Sequence, residues 1–431
     1  LLKVNAEFKA GSLRLAFEQS CPATPGQPKK LPFHLPVAFG LLRSNGDNLV
    51  TAALAWASDQ EIERRGDTLL LHLRDPRAVV TIEGLDAEPE VSMLRAFSAP
   101  VKVEFERPAA SLAFLATRDP DGFAAWDALQ ALLVREIGQL GAGAEVSSEV
   151  VGLLTELLKQ QPANAEDQFL LAAKLAVPSE NYLFEAVDRI DVDAICTARD
   201  RLLDTLSRSH LRAWEALYES HQSSAAYSPD ADAMARRALK NTALAYLARG
   251  LPMADLEQRL AEAFEQADNL TDRRAVLQAA VNALPDSELT RDLLARFYDR
   301  WQAEALVVNQ WFAVQAAAIG CNLERLKALV AHPAFELTNP NKVRSVLTVF
   351  AGTNQRNFHA ADGSGYRYIA EQIVTLNDIN PQMAAALAKP LTRWRRYAGE
   401  RSNLMRSALM EMAGKEGLST DVFEVVTKSL A

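Results

Sequence analysis

The sequence predicts a mostly helical α+β protein. It has a small antiparallel β-sandwich over residues 1–108 and then a large α-helical, superhelical and solenoid-like domain over residues 109–431. Three observations carry this reading. Apolar residues alternate with polar ones through the first hundred positions, a period of two that belongs to strands. After Pro108 the period lengthens to that of helices and the alternation does not return. The later composition is dominated by Leu, Ala, Glu and Arg, which are good helix formers.

The strands are read first. In SLRLAFEQ, Leu13, Leu15 and Phe17 fall on one face and Arg14 on the other. TLLLHLRD repeats the pattern with Leu69, Leu71 and Leu73, and PVKVEFERP with Val101, Val103 and Phe105. Asn45-Gly46 and Arg65-Gly66-Asp67 are turn signals between such runs. The Pro-rich stretch Cys21 to Pro36 reads as a long connection between two strands. One-faced strands joined by tight turns suit an antiparallel sandwich.

The helices follow. Asp119-Pro120 predicts an N-cap and a first-turn proline, with Trp126, Leu129, Leu133, Ile137 and Leu140 as the apolar stripe. Further amphipathic stretches run over 193–211, 231–248, 273–284 and 401–412. The longest uncharged run, Ala305 to Leu323, contains Asn309, Gln310, Gln315 and Asn322, and reads as a buried helix rather than a membrane span. Over three hundred residues of consecutive helices imply an α-solenoid. No fixed repeat consensus supports a regular tetratricopeptide or HEAT array.

Composition narrows the function classes. With 49% hydrophobic and 23% charged residues the chain is an ordinary globular one, and 431 residues suffice for two or three domains. A net charge of −9 argues against a broad nucleic-acid footprint. Cys21, Cys196 and Cys321 are too few and too scattered for a disulfide framework or a thiolate metal site, which fits a reducing compartment. No basic-then-apolar leader opens the chain, so no secretory signal is expected.

The search for chemistry yields little. His34, His72, His210, His221, His332 and His359 include no pair at i, i+4, and no H-E-x-x-H occurs. His210 and His221 suit one helix but lie too far apart for one metal. GAGAEVSSE near Gly141 follows a helix and lacks a Lys-Ser/Thr ending, so it reads as a linker. His359, Asp362 and Ser364 stand close in sequence, but Asp362-Gly363-Ser364-Gly365-Tyr366 is not a nucleophile elbow. Its flanks read as helices. One is capped by Asn339-Pro340, with Val343, Val346, Leu347 and Phe350 apolar. The other begins near Tyr366, with Ile369, Ile373, Val374 and Leu376 apolar. Gly352, Gly363 and Gly365 are expected to permit positive φ in the junction, with Ser364 capping the second helix. Arg344 lies off the apolar stripe beside Asn341 and Thr348, where its planar fork suits a carboxylate. The run RWRRY (Arg393 to Tyr397) reads as a set of internal ion pairs or a solvated face.

TNPNKVRSVLTVFAGTNQRNFHAADGSGYRY resembles the C-terminal part of bacterial aminopeptidase N, a family of gluzincin zinc metallopeptidases. SCPATPGQPKKLPFHLPVAFGL, FSAPVKVEFERP, FAAWDALQALL, LTDRRAVLQAAV and LMRSALMEMAGKEGLSTDVFEVVTKSLA carry the same resemblance, which spans essentially the whole chain.

The resemblance implies that this chain is the last two domains of a cytoplasmic zinc aminopeptidase of the alanyl type. Its catalytic domain, with H-E-x-x-H and the G-x-M-E-N motif, would precede Leu1. Zinc then belongs to the intact enzyme and none to this chain. No catalytic and no metal-binding residue carries over, and the chain alone is expected to be inactive. The helical domain would cap the catalytic cleft and restrict peptide access. Arg344 matches a basic position directed at the enclosed cavity, where it would meet a peptide's carboxylate or backbone, and a second basic position of some relatives falls on Ala386. The expected partners are peptide substrates and the enzyme's own N-terminal and catalytic domains, with no nucleic acid and no membrane. The rival reading is a free-standing helical scaffold for protein–protein interaction.

Overall fold

The computed structural model describes residues 1–51 and 53–431. The described residues pack as two compact units. One comprises Leu1–Arg135 with Ser148–Gln160, the other Glu136–Ser147 with Gln161–Ala431.

In the first unit the alternating segments form β1 (Leu2–Lys9), β2 (Ser12–Gln19), β3 (Leu35–Leu42), β4 (Ala55–Ser58), β5 (Ile62–Arg65), β6 (Thr68–Leu73), β7 (Arg77–Glu83), β8 (Glu90–Met93) and β9 (Val103–Phe105). They build two sheets, ordered β4-β7-β2-β1-β9 and β5-β6-β3-β8. Leu13, Leu15 and Phe17 of β2 and Leu69, Leu71 and Leu73 of β6 are fully buried, so both sheets turn their apolar period-two faces into one core. The Pro-rich stretch does connect β2 to β3. Gln19 holds its far end by donating from Nε2 to Phe33 O at 2.8 Å and accepting from Phe33 N at 2.8 Å.

One strand departs from the antiparallel expectation. β9 pairs with β1 in parallel, Leu2 opposite Val103. The chain leaves β8 in the second sheet and returns through residues 94–102 to the edge of the first, and that crossover fixes the strand direction.

The crossover is strained. Leu94, Ala96 and Phe97 have φ of 51°, 53° and 51°, the left-handed region that costs a non-glycine residue roughly 1–3 kcal/mol. Arg95, 3% exposed, pins the segment from within. Its Nε donates to Ser92 Oγ at 2.8 Å, Nη1 to Asp67 O at 3.0 Å and Nη2 to Asp119 Oδ1 at 3.4 Å. The guanidinium lies so close over Gly40 that a Cβ there would overlap it. Asp121 Oδ2 accepts from Ala96 N at 2.8 Å.

These contacts explain why the helix expected at Asp119-Pro120 starts later. Asp119 is drawn to Arg95, and Asp121 supplies the cap instead. Its Oδ1 accepts from Ala124 N at 2.8 Å, opening helix Gly122–Gly141. A helix that the period analysis did not resolve, Ala109–Arg118, precedes it. Leu129, Leu133, Ile137 and Leu140 are buried and Trp126 half-buried, as the stripe requires.

The named elements of the second unit are all helices, with one isolated bridge, Ile190 to Tyr397, among the described residues. Val192–Ser209, Ala231–Gly250, Leu270–Ala283 and Glu400–Ala413 lie where amphipathic stretches are expected. Side-chain caps start three of them. Asp191, Asp230 and Asn269 accept from the backbone N–H three residues on, at 2.8–3.0 Å. The uncharged run is two elements rather than one. Helix Ala305–Ala316 ends before Gly320, and Asn322 caps a new helix, Leu323–Val330, by accepting from Arg325 N at 3.0 Å. His210 likewise separates Val192–Ser209 from Leu211–Ser220, and His221 follows the second, so the two histidines bracket one short helix. At the core Trp214 stacks on Tyr246 at 3.9 Å, and both find carbonyl acceptors, Leu206 O and Leu175 O. Among the described residues no helix is long and apolar enough to cross a membrane.

Candidate functional site

The segment from Asn339 to Asn377 is built in steps. Asn339 Oδ1 accepts from Asn341 N at 3.0 Å and opens the short helix Pro340–Val343, with Pro340 at its start. The backbone then widens into a single π turn, Arg344–Thr348, a local insertion common at functional positions. Val343, Val346, Leu347 and Phe350 are fully buried, so the turn is clamped on one side. On the other side Arg344 and Thr348 are exposed. Arg344 Nη1 donates to Asn341 Oδ1 at 3.1 Å, its hydrogen bond among the described residues. That leaves a guanidinium edge turned to solvent on a turn whose other side is buried. Ala386 lies on the exposed face of helix Pro381–Ala388.

Beneath the turn is a group the residue pattern did not disclose. Lys342 is buried, with its Nζ 5.4 Å from the centre of the Phe312 ring. Phe312 and Trp311 also pack against His332. Burial lowers the Lys342 pKa, opposed by the nearby Glu336 carboxylate. Burial and Lys342 lower that of His332, whose Nδ1 accepts from Ala334 N at 3.1 Å. The signal was Lys342 one place from Val343 on the apolar side of the helix, a position that sequence spacing alone treats as solvated.

The glycine-rich junction is structural. Asn354 donates from Nδ2 to Ala316 O, Ala318 O and Cys321 O, which ties the junction to the end of helix Ala305–Ala316. His359 is 1% exposed, takes a 2.8 Å hydrogen bond with Tyr366 Oη and stacks on Tyr397. Burial pushes its pKa down to about 3, helped by Arg401 and Arg393, so the ring is neutral at ordinary pH. Ser364 does not cap helix Ser364–Asn377. It is the first helical residue, and Asp362 Oδ1 accepts from its N–H at 2.9 Å. Of the three glycines only Gly363 has positive φ, 68°. Gly365 is needed for closeness instead, since a Cβ there would overlap Phe358 O and lie 2.9 Å from Asn357 O. Gly352 sits in helix Val349–Thr353 with nothing near its missing Cβ.

Other candidates are absorbed by the fold. Arg393 and Arg396 both pair with Glu185, and Trp394 Nε1 donates to Ser429 O at 3.2 Å. Arg356 donates to Glu180 Oε1 at 2.9 and 3.0 Å and pairs with Asp200, which Arg249 also holds at 2.7 Å. Cys196 and Cys321 are free and buried, and burial pushes both thiols up to about 12, which makes them inert. Cys21 is free and exposed. Among the described residues no group of three or more His, Cys, Asp or Glu is placed to hold a metal ion.

A two-sheet sandwich followed by a long helical array defines a class: Ig-like β modules joined to ARM-type helical domains. Residues 109–431 match the family described as "Domain of unknown function (DUF3458_C) ARM repeats", and residues 1–106 match the companion "Domain of unknown function (DUF3458) Ig-like fold". The chain belongs to this family and is homologous to the C-terminal part of aminopeptidase N. It is 34% identical over 429 residues to aminopeptidase N of Escherichia coli (strain K12), covering 97% of this chain and 47% of that protein. It is 32% identical over 436 residues to aminopeptidase N of Haemophilus influenzae, covering 98% and 47%. A crystal structure of Legionella pneumophila aminopeptidase A in complex with aspartic acid superposes with a TM-score of 0.85 at 26% identity, over 100% of this chain and 48% of that one. The chain thus spans about half the length of the relatives it matches.

Proposed function

We propose that this chain is the C-terminal region of a zinc aminopeptidase that removes N-terminal residues from peptides in the cytoplasm. Its helical domain bounds and restricts the space in which the peptide is held. The domains divide at Pro108/Ala109, a reading supported by family matches that end at 106 and resume at 109. The observation that carries the functional reading is the homology to aminopeptidase N over 97% of the chain. The relatives' twofold greater length supports a part of an enzyme over a free-standing scaffold.

Zinc would supply the activated water for attack on the peptide bond. On this reading the ion belongs to the part of the enzyme that the matched region leaves out, since the chain corresponds to 47% of aminopeptidase N. What this chain contributes is positioning. Arg344, exposed and fixed by the π turn, presents its fork to a carboxylate or backbone carbonyl of a bound peptide.

The test is Arg344→Ala in the intact enzyme. An exposed charge-assisted contact contributes about 1 kcal/mol, so KM for tri- and tetrapeptides should rise about fivefold. KM for a single-residue anilide, which does not reach Arg344, should change less than about twofold. Equal losses for both substrates would assign Arg344 to folding instead.

A further inference from the structure

We infer that the aromatic row Phe97–Phe123–Trp126 on the first unit is a docking surface for the other half of the intact aminopeptidase. This rests on the functional reading above. Phe97 is 55% exposed and its ring lies 4.9 Å from Phe123, whose ring lies 6.0 Å from Trp126. A single exposed phenylalanine needs no explanation. This one does, because the backbone that holds it out is unfavourable. Among the described residues four non-glycines have positive φ, and Leu94, Ala96 and Phe97 are three of them.

The surroundings over-determine that conformation. Arg95 is buried under the segment and held by Ser92, Asp67 and Asp119, with Gly40 leaving room for its guanidinium. Asp121 takes the Ala96 N–H. Strain kept in place by a buried clamp marks a segment retained for a purpose other than stability. What it accomplishes here is to present an aromatic ring on an aromatic base, the chemistry of an interface anchor.

The occupant follows from length. The chain accounts for 47% of the Escherichia coli and Haemophilus influenzae relatives and 48% of the Legionella chain. More than half of each relative therefore lies outside the matched region, on the same polypeptide. A covalently attached neighbour docks at high effective concentration, so a small aromatic anchor suffices. The complementary surface on that half is an apolar pocket. A second copy of this chain is the competing occupant.

The experiment places an exposed reporter thiol, Phe97→Cys in a Cys21→Ser background, and reads labelling on the peptide that carries residue 97, because the buried Cys196 and Cys321 remain. Its rate of maleimide labelling is compared between the 431-residue chain and the intact enzyme. Labelling in the intact enzyme should be slower by at least about tenfold, independent of protein concentration, and recover in urea. Equal rates in an intact enzyme that still cleaves peptides overturn this inference and leave the proposed function standing. Protection in the chain alone that grows with concentration identifies a second copy and also overturns it. Phe97→Asn keeps a residue that tolerates the left-handed backbone but removes the ring. It should lower the thermal midpoint of the intact enzyme and leave that of the chain unchanged. Equal shifts in both would mean that the ring serves only the local fold.

Discussion

Gly365→Ala is expected to lose about 3 kcal/mol or more of stability, with a fall in thermal midpoint of about 6 °C or more. The added Cβ would overlap Phe358 O and sit 2.9 Å from Asn357 O. Both obstacles are backbone atoms of the short helix Gln355–Phe358, which carries Arg356 into its ion pairs with Glu180 and Asp200. No side-chain rotation relieves the overlap, so two helices must separate. Gly352→Ala is the matched control. Nothing lies within 4 Å of its missing Cβ and it is helical, so it should be neutral or stabilising by up to about 1 kcal/mol. Differential scanning calorimetry of both variants decides the matter. A Gly365→Ala protein as stable as the parent would mean that the junction is pliant.

Stability should also fall steeply on mild acidification, through His359. The imidazole is buried, and its pKa is held near 3 in the fold against an ordinary 6.5. The unfolded chain therefore binds the proton first. The contribution of His359 is complete above pH 6.5 and is lost progressively as pH drops toward 3, at a limiting slope of about 1.4 kcal/mol per pH unit. Protonation would require the charged ring to remain between Tyr366 and Tyr397, with Arg401 donating to its own carbonyl at 2.7 Å. Urea denaturation at pH 7, 6 and 5 should show the slope, and His359→Asn, less stable overall, should flatten it by one proton. An unchanged slope in His359→Asn would place the titration elsewhere.

The sequence was most legible where period alone decides. The faces of β2 and β6, the stripe of helix Gly122–Gly141 and the long capped helices could be read because one side of each element is buried and the other is not. It was silent where tertiary contacts override local preference. Nothing at Leu94, Ala96 or Phe97 announces left-handed backbone, since none is glycine or asparagine. The cause is an arginine clamp whose partners stand between 3 and 28 residues away. Asp119 reads as a cap until Arg95 claims it. The parallel β9 could not be read, because a strand of three residues carries too little pattern to show its direction. At the candidate site Arg344 was visible as a cation off the apolar stripe, and Asn339 as a cap. The π turn that aims Arg344 and the burial of Lys342 over Phe312 depend on the packing of helix Ala305–Ala316 and were not visible.

On the function proposed above, the helical domain forms part of the boundary of the space where peptide is held. Hydrogen exchange of the intact enzyme, with and without a non-hydrolysable peptide analogue, tests it most directly. Amides in the segment 339–353 around Arg344 should exchange more slowly with the analogue bound, and Arg344→Ala should diminish that protection. Exchange in 339–353 that is identical with and without a saturating analogue would contradict the account.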